Sequence, residues 1–226
     1  MDFTNTVAVI TGANRGLGRS LAAELIERGA KVYAGARDPR TVDLPGAIPL
    51  RLDITDPTSV QRASELATDV NLFISNAGID TRTRLIDGPF ENIRQELETH
   101  LFGTLTTLRA FAPAIERNGG GTILNILSVL SWVHPSFHGA YSVGKSAAWA
   151  MTDVLREELA PKGIKVAALH VGYMNTDMAQ GVPPEAPKTD PLDVARAALD
   201  GLAEGSNEII VDEFSKQIKQ SLAAAK

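Results

Sequence analysis

The sequence predicts an α/β fold, a doubly wound parallel sheet of about seven strands with helices on both faces. Three observations carry that reading. Short apolar, β-branched runs alternate with segments of helical periodicity along the chain. The first of these runs flows through a glycine-rich turn straight into a helix. The chain has 226 residues, 44% of them hydrophobic, and no repeat, linker or low-complexity tract interrupts the order, so one large core is expected.

Residues 7–10, Val-Ala-Val-Ile, read as a buried strand. Thr11-Gly12-Ala13-Asn14-Arg15-Gly16-Leu17-Gly18 follows, then residues 19–28 with apolar side chains at helical spacing, closed by Gly29. Residues 31–36 form the second strand and 48–52 the third, which ends at Asp53. Asp56 caps, and Pro57 opens, a helix to about residue 67. Residues 70–74 make the fourth strand and lead to Ser75-Asn76-Ala77-Gly78. One long amphipathic helix is expected over about 91–117, stopped by Asn118 and three glycines. The fifth strand, 122–127, delivers Ser128, and a helix through Tyr141 and Lys145 runs to about residue 161. Residues 164–171 and 208–211 complete the sheet. The whole chain, 1–226, reads as a single domain. A short lid is expected at about 175–191, rich in glycine and proline, and a polar terminal helix at about 213–226.

The turn after the first strand has the chemistry of a phosphate cradle. Gly12 permits the tight bend, Gly16 lets the backbone approach a pyrophosphate, and Gly18 lets helix and strand pack closely. Free N–H groups at the helix start favour the anion. The spacing is Gly-x-x-x-Gly-x-Gly rather than Gly-x-Gly-x-x-Gly. Tyr141 and Lys145 are four residues apart, hence on one helix face. An ammonium beside a phenol favours the phenolate and lowers a pKa that is ordinarily about 10. Such a pair suits acid–base work on a carbonyl or an alcohol.

Taken together, residues 11–18, Ser75-Asn76-Ala77-Gly78, Ser128, and Tyr141 with Lys145 resemble the short-chain dehydrogenase/reductase family in order and spacing, over nearly the whole chain. The resemblance implies a Rossmann-like fold and an oxidoreductase that moves a hydride between NADP(H) and a carbonyl or secondary alcohol. In that reading Tyr141 is the general acid/base, Ser128 holds the substrate oxygen, and Lys145 lowers the phenol pKa and binds the nicotinamide ribose. The implied cofactor-binding residues are Gly12, Asn14, Arg15, Gly16, Leu17, Gly18, Arg37, Asp53, Ile54, Asn76, Ala77, Gly78, Gly172 and Thr176, with Tyr141 and Lys145. Where NAD enzymes usually place an acid after the second strand, this chain has Ala36 and then Arg37. With Arg15 it favours a 2′-phosphate, and so NADP(H) over NAD(H). Arg15 and Arg37 as plain solvated cations, with Asp38 on the ribose, is the alternative.

Two positions depart from the family pattern. His100 stands where the family often has an asparagine that supports a proton-relaying water, and Val171-Gly172 replaces the usual Pro-Gly. Either His100 keeps the relay and adds a pH dependence near pH 6–7, or it is a buried histidine satisfied by backbone groups. Trp132, His134, Phe137, Tyr173 and Met178, with Met174, flank the catalytic segments and are candidates for the substrate pocket, which suggests an apolar ketone, aldehyde or secondary alcohol. Ser131 competes with Ser128, but its spacing to Tyr141 is wrong for the family.

Composition narrows the remaining classes. Lys plus Arg total 22 against 27 Asp plus Glu, a net charge of −5, which gives no reason to expect a nucleic acid or an anionic membrane as partner. The absence of cysteine excludes disulfides and thiolate chemistry. His134 and His138 have helical ligand spacing, but Pro135 lies between them and no carboxylate cluster completes a metal set. No long apolar run or signal-peptide pattern is seen, so a cytoplasmic protein is expected, as a homodimer or homotetramer by resemblance. A nonenzymatic NADP(H)-binding redox sensor is the alternative function, and an epimerase or dehydratase on the same fold is a third.

Overall fold

Strand β1 (Val7–Thr11) is flanked by apolar layers on both faces, and Ala8, Val9 and Ile10 are fully buried. Such strands belong in the middle of a parallel sheet, where helices cover both sides. The computed structural model describes residues 2–224, so Met1 and the last two residues of the expected terminal helix lie outside the described residues. β1 is joined by β2 (Lys31–Ala36), β3 (Ala47–Arg51), β4 (Leu72–Ser75), β5 (Gly121–Ile126), β6 (Ile164–His170) and β7 (Glu208–Ile210). All pair in parallel in the order β3-β2-β1-β4-β5-β6-β7. The seven expected strands are present, within two residues at each end.

The helices are α1 (Gly16–Glu27), α2 (Pro57–Leu66), α3 (Phe90–Leu97), α4 (Thr104–Arg117), α5 (Gly139–Leu159), α6 (Pro191–Ala203) and α7 (Glu213–Ala224). One core joins α1 and α6 to the sheet through Leu21, Leu25, Val194 and Leu199. The other joins α2, α4 and α5 through Val60, Phe111, Ile115 and Leu155. Burying each of these large side chains stabilises the fold by roughly 1.5–3 kcal/mol relative to exposure. Asp56 caps α2 as expected, accepting from Thr58 N at 2.9 Å.

The expected long helix is interrupted. Between α3 and α4, residues Glu98–Gly103 form a π-helical segment. Helical periodicity in the sequence does not separate this from a continuous α-helix. The physical reason lies in part at Gly103: a Cβ there would stand 2.8 Å from Ile54 O and 3.0 Å from Glu98 O. The wider turn fits the helix against the loop after β3, and His100 lies within it. π segments of this kind are frequent at functional sites.

The strand order reverses direction between β1 and β4, where crossovers leave toward opposite edges of the sheet. A crevice opens at the carboxyl ends of strands at such a switch point, and ligands of open α/β sheets bind there. The loops after β1, β4, β5 and β6 all end at this crevice.

Candidate active site

The turn after β1 is held by atoms from β4. Thr11 Oγ1 accepts from the backbone N–H groups of Asn76 and Ala77, both at 2.9 Å. The Asn76 side-chain amide donates to Thr11 O at 2.9 Å and Gly12 O at 3.1 Å. Asn76 therefore braces the turn itself. Gly12 and Gly16 take φ of +66° and +52°, a region costly for other residues. A Cβ on Gly18 would collide with Gly12 O and stand 2.5 Å from Asn76 Nδ2. The result is an open cradle at the start of α1, whose first N–H groups have no helical partner. That cradle fits the pyrophosphate of a dinucleotide.

Arg37 is exposed just past β2 and makes no hydrogen bond or ion pair among the described residues. Asp38 is occupied: Arg40 Nε and Nη2 donate to its two oxygens at 2.9 and 2.8 Å. Arg15 pairs with Asp177 at 3.2 Å, both largely exposed. Asn14 donates to Thr41 Oγ1 at 3.1 Å. Asp53 accepts from Thr55 N and Oγ1 at 3.0 and 2.8 Å, which fixes the turn after β3 beside buried Ile54.

Ser128, Tyr141 and Lys145 converge at the carboxyl end of β5. Ser128 is buried and its Oγ accepts from Leu130 N at 3.1 Å. Tyr141 is half-buried; Lys145 is buried, and its Nζ donates to Ile126 O at 2.8 Å, 5.7 Å from the centre of the Tyr141 ring. Burial pushes the Lys145 ammonium down to about 8, opposed by the Glu96 carboxylate. The phenol moves opposite to expectation. Burial raises its pKa, a hydrogen bond with Ser128 lowers it less, and the charges of Asp80 and Glu96 add to the rise. Desolvation of the phenolate and the two nearby carboxylates thus outweigh the Ser128 hydrogen bond.

A scan against known families matches residues 6–187 to the short chain dehydrogenase model. The chain belongs to the short-chain dehydrogenase/reductase family. It is accordingly an oxidoreductase with a nicotinamide dinucleotide as cofactor class. A short chain dehydrogenase from Burkholderia cenocepacia J2315, solved with NADP, is 38% identical, with a TM-score of 0.94 over 99% of this chain and 95% of that one. A 3-ketoacyl-(acyl-carrier-protein) reductase from Brucella melitensis, complexed with NADH, is 25% identical, with a TM-score of 0.84 over 92% of this chain and 96% of that one. An uncharacterized oxidoreductase of Staphylococcus saprophyticus is 28% identical over 93% of this chain and 98% of its own length.

The short-chain dehydrogenase frame makes the departures legible. His100 is 2% exposed and its Nε2 donates to Ile79 O at 2.9 Å. Its ring meets the Tyr141 ring edge-on, with centroids 5.2 Å apart. One turn earlier, fully buried Glu96 accepts from Thr81 N and Oγ1 through Oε1, while its Oε2 lies 3.2 Å from His100 Nε2 without an aligned hydrogen bond. Burial and the Lys145 charge lower the His100 pKa, against the pull of Glu96 and the Ile79 carbonyl. The expectation of titration near pH 6–7 is therefore corrected downward: the imidazole is neutral at neutral pH. A cavity of about 10 Å³ lies among Ser75, Ala77, His100, Thr104, Asn125 and Lys145, the size of about one water molecule. Asn125 Oδ1, buried there, has no protein partner. Gly172, in the loop without the usual proline, is held by Asp212, whose Oδ2 accepts its N–H at 2.8 Å. Thr176 reaches the turn, for a Cβ on Gly16 would touch its Cγ2 at 3.4 Å.

Trp132 and His134, two of the candidates for the substrate pocket, are placed elsewhere. Trp132 is buried against His170, with centroids 3.9 Å apart, and beneath Lys219 of α7 at 4.7 Å. Ser131 also points that way, donating to Ser128 O at 2.6 Å and lying 3.2 Å from His170 Nδ1. His134 bonds Ser146 Oγ at 3.1 Å and lines a cavity of about 520 Å³ with Leu85, Ile86, Ser142 and Val143. At 100° per residue, those α5 positions lie on the side of the helix away from Tyr141. Phe137 is 56% exposed, and Met178 lies exposed on the loop over the cleft. Tyr173 remains near Tyr141, through His138. Asp80, Glu96 and Asp212 carry no sequence signal that marks them for the site, and His138 stands out in the sequence only through its metal-ligand spacing to His134. Among the described residues no group of three or more metal-binding side chains clusters, and no helix is long and apolar enough to cross a membrane.

Proposed function

We propose that the protein is an NADP(H)-dependent reductase of ketones or aldehydes, or a dehydrogenase of the corresponding alcohols. The supporting observation is the meeting of Ser128, Tyr141 and Lys145 beside the glycine cradle at the switch point. A bound nicotinamide supplies or accepts the hydride. The chain's own part is to hold the oxygen and move the proton. Ser128 Oγ donates to the carbonyl oxygen and steadies its developing charge. A phenol kept neutral by its surroundings is the form needed to give a proton in reduction, and Tyr141 gives its Oη–H to that oxygen. Lys145 then restores the phenol's proton, with a pKa near 8 that makes its ammonium a willing donor. The same ammonium would bind the ribose hydroxyls, and a water in the cavity beside His100 would connect it onward. The loop 175–190, tied to Arg82 through the carbonyls of Met178 and Gln180, serves as the lid.

A panel of carbonyl compounds followed by NADPH absorbance tests the reading. Turnover supports it, whereas tight NADPH binding without turnover on any compound favours the redox sensor. The free Arg37, the engaged Asp38 and the NADP in the Burkholderia relative support NADP(H) over NAD(H). Arg37→Glu is expected to lower kcat/KM with NADPH roughly 10- to 100-fold while leaving NADH nearly unchanged, because a charge-assisted hydrogen bond contributes about 1.5–3 kcal/mol. Equal efficiency of the wild type with both cofactors removes the 2′-phosphate clamp.

His100→Asn separates a relay from a backbone strut. As a relay, His100 adds a limb to the pH–rate profile on the acid side of pH 6.5, where its lowered pKa falls. The variant is expected to lose that limb and keep its rate at pH 8. An unaltered profile rejects the relay.

A further inference from the structure

A second imidazole stands in the cleft that the reaction above does not use. His138, 3% exposed, immediately precedes α5, and its ring centroid lies 6.3 Å from that of Tyr141 and 6.4 Å from that of Tyr173. Its Nδ1 lies 2.9 Å from Asp80 Oδ2, within ion-pair distance but without an aligned hydrogen bond, and both side chains are buried. Asp80 Oδ1 accepts from Arg82 N at 2.9 Å. Burial pushes the Asp80 carboxyl up, but the close His138 ring and the hydrogen bond from the Arg82 backbone outweigh it and leave its pKa lowered. An ionised carboxylate only accepts, so Nδ1 carries a hydrogen and the opposite nitrogen is left to find a partner. Among the described residues Nε2 meets only Tyr173 Oη, at 3.4 Å, the long limit for a hydrogen bond. A buried ring nitrogen with so poor a partner is costly unless something else bonds to it.

The three residues come from three walls of one cleft: Asp80 from the loop after β4, His138 from the approach to α5, Tyr173 from the loop after β6. Resting on the carbonyl-reductase reading, we propose that they form a subsite for a hydroxyl group carried by the substrate close to its reacting carbonyl carbon. A hydroxyl suits the subsite whichever protonation state His138 adopts, since it can donate to a neutral Nε2 or accept from an imidazolium N–H. It also accepts from the Tyr173 phenol. The substrate class is therefore a hydroxyketone or hydroxyaldehyde, and not the plain apolar ketone that the flanking aromatic residues suggested. Asp80 acts as a positioning residue that fixes the ring and its tautomer.

The test compares 4-hydroxy-2-butanone with 2-pentanone, in which a methyl replaces the hydroxyl, in wild type, His138→Phe and Tyr173→Phe, with NADPH. The wild type is expected to favour the hydroxyketone about tenfold or more in kcat/KM, as a site built around a polar partner discriminates against the analogue lacking it. Both variants are expected to bring the ratio of the two compounds toward parity, mainly through KM for the hydroxyketone. Should His138→Phe fail to fold, half-buried Tyr173→Phe alone decides. Equal wild-type efficiency on the two compounds, or variants that slow both equally, overturns the subsite and leaves the Asp80–His138 pair a structural staple. If no ketone turns over, the reductase reading fails, and calorimetry on the NADP⁺-saturated protein decides the subsite. Tighter binding of 4-hydroxy-2-butanone that Tyr173→Phe abolishes upholds it, and equal or absent binding of both compounds overturns it.

Discussion

Tyr141→Phe is expected to reduce kcat/KM by about 10²- to 10⁴-fold, the usual worth of a positioned proton donor. Cofactor affinity and melting temperature should stay close to wild type. The substitution removes one oxygen and leaves the aromatic ring, which keeps its edge-on contact with His100 at 5.2 Å. It deletes the hydrogen bond with Ser128 but creates no cavity. Activity and stability thus come apart at this position. Steady-state kinetics, NADPH fluorescence titration and thermal melting measure the three quantities. Near-normal turnover in Tyr141→Phe rejects the phenol as proton donor.

Lys145→Met carries the second large effect, and it acts on stability as well as rate. Turnover is expected to fall roughly a hundredfold or more, as the phenol loses its source of protons. The stability effect follows from burial, which lowers the ammonium pKa from 10.5 to about 8. The unfolded chain holds this proton up to about pH 10.5, whereas the folded protein releases it from about pH 8. Below pH 8 the fold bears the full cost of a buried charge, on the order of 3 kcal/mol for such a shift. Between pH 8 and 10.5 that cost is relieved, and the wild type gains stability relative to Lys145→Met as pH rises. Urea unfolding of both proteins at pH 7 and pH 10 measures the difference. A gap that stays constant across the range rejects the shifted lysine.

The same burial explains where reading the sequence succeeded and where it stopped. Strands such as residues 7–11 and 31–36 announce themselves because a central parallel strand needs apolar side chains on both faces. The glycine cradle is legible because positive φ at Gly12 and Gly16 is written directly as residue type. The π segment is not, since apolar spacing over about 91–117 fits an uninterrupted helix and only Gly103 hints at the close approach to Ile54. Nothing local marks Glu96 and Asp80 for burial; tertiary contacts place them beside His100 and His138. Trp132 follows Ser128 by four residues, and nothing local shows that the chain turns it toward His170 and α7 rather than the cleft. The direction of the Tyr141 shift is not legible in the sequence for a related reason. Residue spacing gives the lysine's proximity, but not the desolvation and carboxylates that oppose it.

The central claim is that this cleft joins a nicotinamide-borne hydride to a carbonyl carbon while Tyr141 delivers the proton. The most direct measurement uses NADPH deuterated at C4 of the nicotinamide, presented in both C4 epimers, with a ketone the protein reduces and mass spectrometry of the alcohol. The expected result is one deuterium on the carbinol carbon from one epimer only, formed by the wild type and lost in Tyr141→Phe. An alcohol without that deuterium, or no alcohol from any carbonyl compound while NADPH binds tightly, contradicts the account.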